Sequence, residues 1–95
     1  MSNIGKKNDL AKPRWSLVPE GVMNEVISVL EYGAAKYDVD NWQHVENGRV
    51  RYYDAAMRHI DDWYQGADED YESGLPHLAH AICNLMFLLS GKVKE

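Results

Sequence analysis

An all-α fold, a small bundle of three main helices completed by oligomerisation, is what three observations on this 95-residue sequence predict. Apolar residues recur at spacings of three and four along three separate stretches. Two polar segments, 38–48 with Asp, Asn and Gly and the acidic 66–74, divide those stretches. A chain of this size also buries only a marginal core unless packing is efficient or a second chain covers apolar surface.

The organisation is an N-terminal arm (1–16), a single helical domain (17–91) and a short C-terminal tail (92–95). The arm is polar and carries Pro13, with Trp15, Leu17 and Val18 expected to pack where the chain approaches the first helix. Pro19 suits the first turn of that helix, where its missing N–H is not needed. From about 20 to 37, Met23, Val26, Ile27, Leu30 and Ala34 form one buried stripe, with Glu31 at its edge. Trp42 is the only large apolar residue of the loop that follows.

The second helix, about 49–65, places Tyr53, Ala56, Met57, Ile60 and Tyr64 on one side and Arg51, Ala55, Arg58, His59 and Asp62 on another. Gly66 stops it, and an acidic segment follows, with Ser73 expected to cap the third helix. The third helix, about 75–90, has an apolar stripe of Leu75, Leu78, Ile82, Leu85, Met86 and Leu89. His77, His80 and Asn84 lie within about 60° of one another on the opposite side. A solvated face usually carries Lys and Glu, and this helix has neither. Both faces are therefore expected to be covered, with the His/Asn stripe pointing into a polar interior site.

Composition excludes several functions. One cysteine, Cys83, allows neither an intramolecular disulfide nor a Cys-based zinc knuckle, so the chain reads as cytoplasmic. No apolar run approaches the roughly 20 residues of a membrane span, and residues 1–13 are not followed by the apolar core of a signal peptide. Fifteen acidic against ten basic residues, net charge −5, argue against a nucleic-acid polymer as partner. A small anion held locally, or through a metal, is compatible with that balance.

His59-x-x-Asp62 and His77-x-x-His80 carry the most chemical information. Residues at i and i+3 share a helix face, so two antiparallel helices can aim these four side chains at one point, as helix-bundle metal sites do. Surface or core histidines with hydrogen-bonded rings are the plainer explanation for any one of them. Three of the four histidines in one such arrangement, facing a carboxylate, favour a site. Imidazole and carboxylate ligands suit Mn, Zn, Co or Fe better than Mg. Asn84 lies one turn beyond His80. Arg51 and Arg58, near the same stripe, match phosphate oxygens, although helical ion pairs with Asp54, Asp61 or Asp62 would equally use them. Lys36, Tyr37, Asn41 and Trp42 supply a cation, an amide and two aromatics suited to a base, or else core anchors. The acidic run 68–72 is no calcium loop, because Ala79 stands where a bidentate Glu is required; it reads as a solvated turn, with Asp70 or Glu72 as lesser candidates for a second metal contact. Cys83 has no base patterned beside it.

Taken together, Lys12-Pro13, Leu17-Val18-Pro19, Tyr32-Gly33-Ala34-Ala35-Lys36-Tyr37, Asn41-Trp42, Arg51-Tyr52, Ala55-Ala56, Arg58-His59, Asp70, Glu72-Ser73-Gly74 and His77-Leu78-Ala79-His80-Ala81 resemble the small phage-associated dATP/dGTP diphosphohydrolase domain family over residues 12–89. More distantly the layout is similar to the all-α NTP pyrophosphatases that include MazG, whose motif is E-x-x-E followed by E-x-x-D. Only Asp62 is a carboxylate among the corresponding positions here, with 14 residues between the two pairs.

The resemblance implies a phage or prophage protein of the bacterial cytoplasm, a homodimer or homotetramer, that cleaves purine dNTP to dNMP and pyrophosphate. In that expectation His59, Asp62, His77 and His80 hold a divalent metal (Mn, Co, Zn or Mg). Lys36, Tyr37, Asn41, Trp42, Arg51, Arg58 and Asn84 bind the nucleotide, and Asp62, Glu31 or Asp70 acts as general base. The alternative is a non-catalytic phage protein that sequesters a signalling nucleotide with the same residues and no metal.

Overall fold

The computed structural model describes residues 4–95 and is all-α, with no strand among them; the first three residues of the arm lie outside the described part. Three helices, α1 (Val22–Lys36), α2 (Gly48–Tyr64) and α3 (His77–Ser90), are accompanied by two single turns of 3-10 helix, Trp15–Leu17 and Asn41–Gln43. α3 is central and packs against both others, while α1 and α2 barely meet. No helix among the described residues is long and apolar enough to cross a membrane.

Each boundary has a local cause. Pro19 does not enter the first turn of α1 as expected; its carbonyl accepts from the Val22 N–H, and the helix starts after Gly21, whose φ of +84° is open to glycine. Glu25 in the first turn and Lys36 in the last complement the helix dipole. α2 begins at Gly48, buried beneath the C-terminal tail. A Cβ there would stand 3.3 Å from the Lys94 carbonyl, which also accepts from the Arg49 N–H at 2.8 Å. The tail is thereby fastened to the start of α2. That helix has no acidic residue in its first turn and no basic residue in its last, so packing on α3 rather than terminal charge holds it. α3 starts after Pro76, not with a Ser73 cap, and ends at Gly91 (φ +73°), whose N–H returns to the Leu88 carbonyl.

The core is narrow. Val26, Val29, Ala79 and Cys83 are buried where α1 crosses α3, with Met23, Leu30, Leu75, Ile82 and Phe87 packed around them. The Cys83 thiol donates to the Val26 carbonyl at 3.4 Å, and burial pushes its pKa up to about 11. Toward α2, Ala56, Ala81, His77 and Asn84 are buried. Small residues on both sides of α3 let its neighbours approach closely, and this corrects the expected burial pattern. Leu78, Leu85, Met86 and Leu89 of the apolar stripe are exposed, as are Tyr53, Met57 and Tyr64 on α2. Trp15, Leu17 and Val18 are exposed rather than packed against α1.

Val26 is 1% exposed, so Val26→Ala removes two buried methyl groups at the α1–α3 crossing. A loss of about 2 kcal/mol in denaturant unfolding is expected. Leu10→Ala in the exposed arm should stay within about 0.5 kcal/mol of wild type; equal losses would contradict this placement of the core.

Candidate metal and nucleotide site

The site is built from the face of α3 that carries His77, His80 and Asn84, from His59 on α2, and from the loop between those helices. That loop is folded on itself. Glu69 and Pro76 form an antiparallel bridge, the Asp70 N–H donates to the Leu75 carbonyl at 2.9 Å, and the His77 N–H donates to the Asp68 carbonyl at 2.8 Å. Asp70 Oδ2 accepts from the N–H groups of Glu72 (3.0 Å) and Ser73 (2.9 Å), and Ser73 Oγ accepts from the Leu75 N–H. Gly74, at φ +72°, makes the reversal possible and donates to the Asp70 carbonyl at 2.7 Å. An acidic segment that reads as a solvated turn is thus a small framed unit that fixes Asp70 beside the histidines.

The His59 ring is in contact with both other imidazoles. His59 Nδ1 lies 2.8 Å from His77 Nδ1, so one ring donates and the other presents its lone pair. The His59 ring stacks on His80 with centroids 4.6 Å apart and planes 10° from parallel. His80 Nε2 is hydrogen-bonded to Ser73 Oγ at 2.7 Å, and Tyr32 of α1 meets the His80 ring edge-on. His77 is buried, while His59 and His80 are half-buried. One ligand-type atom each from His59, Asp70 and His77 lies within 4.8 Å of the others. Two nitrogens and a carboxylate oxygen in that compass form a donor set that fits Mn, Co or Zn better than Mg.

The surroundings of His59 and His80 favour their neutral rings. His59 is pushed below the ordinary histidine range first by burial and then by His80 and His77. His80 is lowered chiefly by burial, against the opposing charge of Asp70. A neutral imidazole is the form that offers a lone pair to a metal. Burial works against ionisation of Asp70, but the Ser73 and Glu72 amides and the facing histidines outweigh it, and its carboxyl lies below the usual carboxylate value.

Around this group the other residues singled out from the sequence divide. Lys36, at the end of α1, reaches over to Glu72 with Nζ to Oε1 at 2.6 Å, and its ammonium lies near the Tyr32 and Tyr37 rings. That contact raises the Lys36 pKa and lowers that of Glu72. Asn84 Nδ2 donates to the His80 carbonyl at 3.0 Å, so it serves the helix that carries the histidines. Trp42 stacks on Phe87 (centroids 4.6 Å, planes 10° apart), and Tyr52 meets Phe87 at an angle. Trp42, Asn41, Tyr37, Glu31 and Phe87 share the lining of a cleft of about 390 Å³. Phe87 follows His80 by two helical turns, about 10 Å along the same side of α3. Arg51 donates to the Glu46 carbonyl at 3.3 Å, and Arg58 and Asp62 are exposed.

His59, His77 and His80 therefore come together, and Asp70 rather than Asp62 is the carboxylate grouped with them. Tyr32 and Ser73 are contacts of His80 that periodicity did not reveal. The signal for Ser73 was present in Asp70-x-x-Ser73-Gly74, since an Asp three residues before a Ser-Gly pair suits a side-chain-closed turn.

The lowered pKa values of His59 and His80 set a sign for acid sensitivity in chelator-treated protein. Unfolded histidines bind protons from about pH 6.5 downward, whereas the folded rings resist until lower pH, so the unfolded state holds more protons between those limits. Stability is expected to be full above that unfolded value and to fall as pH drops toward the folded values, with His59→Gln flattening the slope. Urea melts from pH 7.5 to 5 that show no such dependence would contradict the buried neutral cluster.

Comparison with known proteins places these features in a family. Residues 2–95 match the family model described as dATP/dGTP diphosphohydrolase, N-terminal. The chain is 39% identical over 84 residues to a dATP/dGTP diphosphohydrolase of Salmonella phage PMBT28, a match that covers 88% of this chain and 28% of that relative. The chain thus spans less than a third of the relative's length. No solved structure matches it. With the family model covering nearly every residue, the chain belongs to the dATP/dGTP diphosphohydrolase N-terminal family.

Proposed function

We propose that this domain takes part in metal-dependent hydrolysis of a purine deoxynucleoside triphosphate, dATP or dGTP, to the monophosphate and pyrophosphate, in the cytoplasm of a phage-infected or prophage-bearing bacterium and as a homo-oligomer. The observation that carries the reading is the group of His59, His77 and Asp70 within ligand distance, with His80 stacked on it. The phage relative's name supports a nucleotide substrate.

In this reading His59, His77 and Asp70 hold a divalent ion of the Mn, Co or Zn type. Such an ion supplies positive charge for phosphate oxygens and a more acidic bound water. The chain's own residues do the rest. Lys36 exchanges its Glu72 partner for a phosphate and brings positive charge to the site from α1. His80, oriented by Ser73 at Nε2 and by stacking on His59, holds or releases a proton beside the phosphates. The aromatic cleft takes the base. One face of Trp42 is already covered by Phe87, so a base stacks on the other, with Asn41 and Tyr37 at its edge.

Arg58, next to His59 on α2, and Arg51 approach phosphates from the exposed side. Of the three carboxylates considered for proton abstraction, Asp70 lies within the imidazole group, Glu31 lines the aromatic cleft and Asp62 stands exposed. Asp70 is the preferred one by position.

Turnover of dGTP and dATP with Mn, Co, Zn and Mg tests the assignment. His77→Ala and Asp70→Asn should each lower turnover on the order of 100-fold, and Asp62→Asn by less than about threefold. Undiminished turnover in His77→Ala would remove the site. Tight nucleotide binding with the ligand recovered intact and no bound metal would favour the sequestering alternative.

A further inference from the structure

The aromatic cleft beside Trp42 has an uneven charge. Glu31, Asp38 and Asp40 all line it, and among the described residues no Lys, Arg or His does. Ionised carboxylates accept hydrogen bonds and donate none. An anionic group is therefore repelled from this cleft, and an occupant that presents adjacent N–H groups is favoured. The three acids are not equivalent. Asp38 Oδ1 already accepts from the Val39 N–H at 2.9 Å. Glu31 stands on α1, on the wall that carries Leu30 and Ala34. Asp40 immediately precedes the turn Asn41–Gln43 that holds Trp42, a position where an Asp side chain ordinarily folds back as a cap. Here the Gln43 N–H goes to the Asp40 carbonyl at 3.1 Å, and the carboxylate takes no part in the cap.

We propose that Asp40 reads the edge of the base, and that the cleft thereby selects guanine over adenine. The inference rests on the nucleotide reading above and names the base within it. Guanine carries a ring N1–H and an exocyclic amino group side by side, so one carboxylate accepts from both, as it does from the two prongs of a guanidinium. Adenine has a single amino group on that edge, beside an N1 lone pair that meets a carboxylate with like polarity. Cytosine has the same defect at N3, and thymine sets its one ring N–H between two carbonyls.

The local structure suits this role. A base on the open face of Trp42 lies against the same short turn as Asp40, two residues away. Backbone bonds from Gln43 to Asp40 and from His44 to Asn41 (2.9 Å) hold the stacking ring and the carboxylate on one unit. The acidic wall also sets the direction of the nucleotide. It turns the triphosphate out of the cleft and toward Lys36, whose ammonium lies 5.2 Å from the centre of the Tyr37 ring that lines the same cleft. Asp40 is exposed, so water competes with the base. Discrimination is expected on the order of tenfold, far from the roughly 10⁴-fold of a buried polar pocket.

Steady-state kcat/KM of the full chain with dGTP, dITP, dATP and dXTP tests this. Wild type is expected to favour dGTP over dATP on the order of tenfold, with dITP, which keeps the N1–H and lacks the 2-amino group, between them. Because the contact is remote from the phosphates, the difference is expected in KM rather than kcat. Asp40→Asn presents one acceptor and one donor, which match the N1–H and the C2 carbonyl of xanthine. That variant should lose the dGTP preference and gain on dXTP, a change of specificity that misfolding cannot produce. Asp38→Asn should leave the dGTP to dATP ratio within about twofold of wild type. Equal kcat/KM for dGTP and dATP with hydrolysis intact, or a ratio that Asp40→Asn leaves unmoved, overturns the role of Asp40 and leaves the nucleotide reading standing. A chain that neither binds nor hydrolyses any of the four overturns both.

Discussion

The close approach of α2 to α3 is the contact on which the rest of this structure depends. Small residues are buried on both helices, Ala56 on α2 and Ala81 on α3, and His77 and Asn84 are buried with them instead of being left to solvent. At that separation His59 and His77 have to share a proton, and His59 has to stack on His80. A larger pair of residues would satisfy the same helical pattern and hold the rings apart. The cost is desolvation of two titratable rings, visible in the lowered pKa of His59 and His80. It is offset in part by hydrogen bonds that leave no buried polar side-chain atom unsatisfied among the described residues.

The loop that joins the two helices adds a carboxylate to this contact. Asp70 would be an ordinary surface carboxylate if residues 66–76 were irregular. Two backbone amides grip one of its oxygens while the bridge from Glu69 to Pro76 closes the loop behind it. The carboxylate therefore meets the imidazoles in a fixed position, an advantage where a ligand set has to be preorganised. The Lys36–Glu72 pair ties the end of α1 to the same loop, so all three helices converge on one region although α1 and α2 barely touch.

Helix number, order and type were legible from the three-and-four spacing of apolar residues, and so was the unusual polarity of the third helix, because His77, His80 and Asn84 occupy a stripe with no Lys or Glu. Periodicity could not say which of two opposite stripes faces inward. On α3 the polar stripe turned inward, and Leu78, Leu85 and Leu89 of the apolar stripe turned outward. Alanine and cysteine at 79, 81 and 83 allow the closer approach, and bulky leucines do not. The grouping of Asp70 rather than Asp62 with the histidines has a related cause. Asp62 shares a helical repeat with His59, but a repeat fixes only direction about an axis, whereas Asp70 is brought in by loop hydrogen bonds that join residues with no common period. Glycine at 48 shows the same limit, since its need for a bare backbone comes from Lys94 at the far end of the chain.

The central claim is that His59, His77 and Asp70 form one divalent-cation site, and nitrogen-detected NMR of the histidine rings during titration with Zn tests it most directly. The account predicts that the ring signals of His59 and His77 shift together and saturate at one equivalent, while the exposed His44 is unaffected and Asp70→Asn weakens the response. A titration that moves His44 alone, or that leaves the His59–His77 pair with its shared proton in place at excess metal, would contradict it.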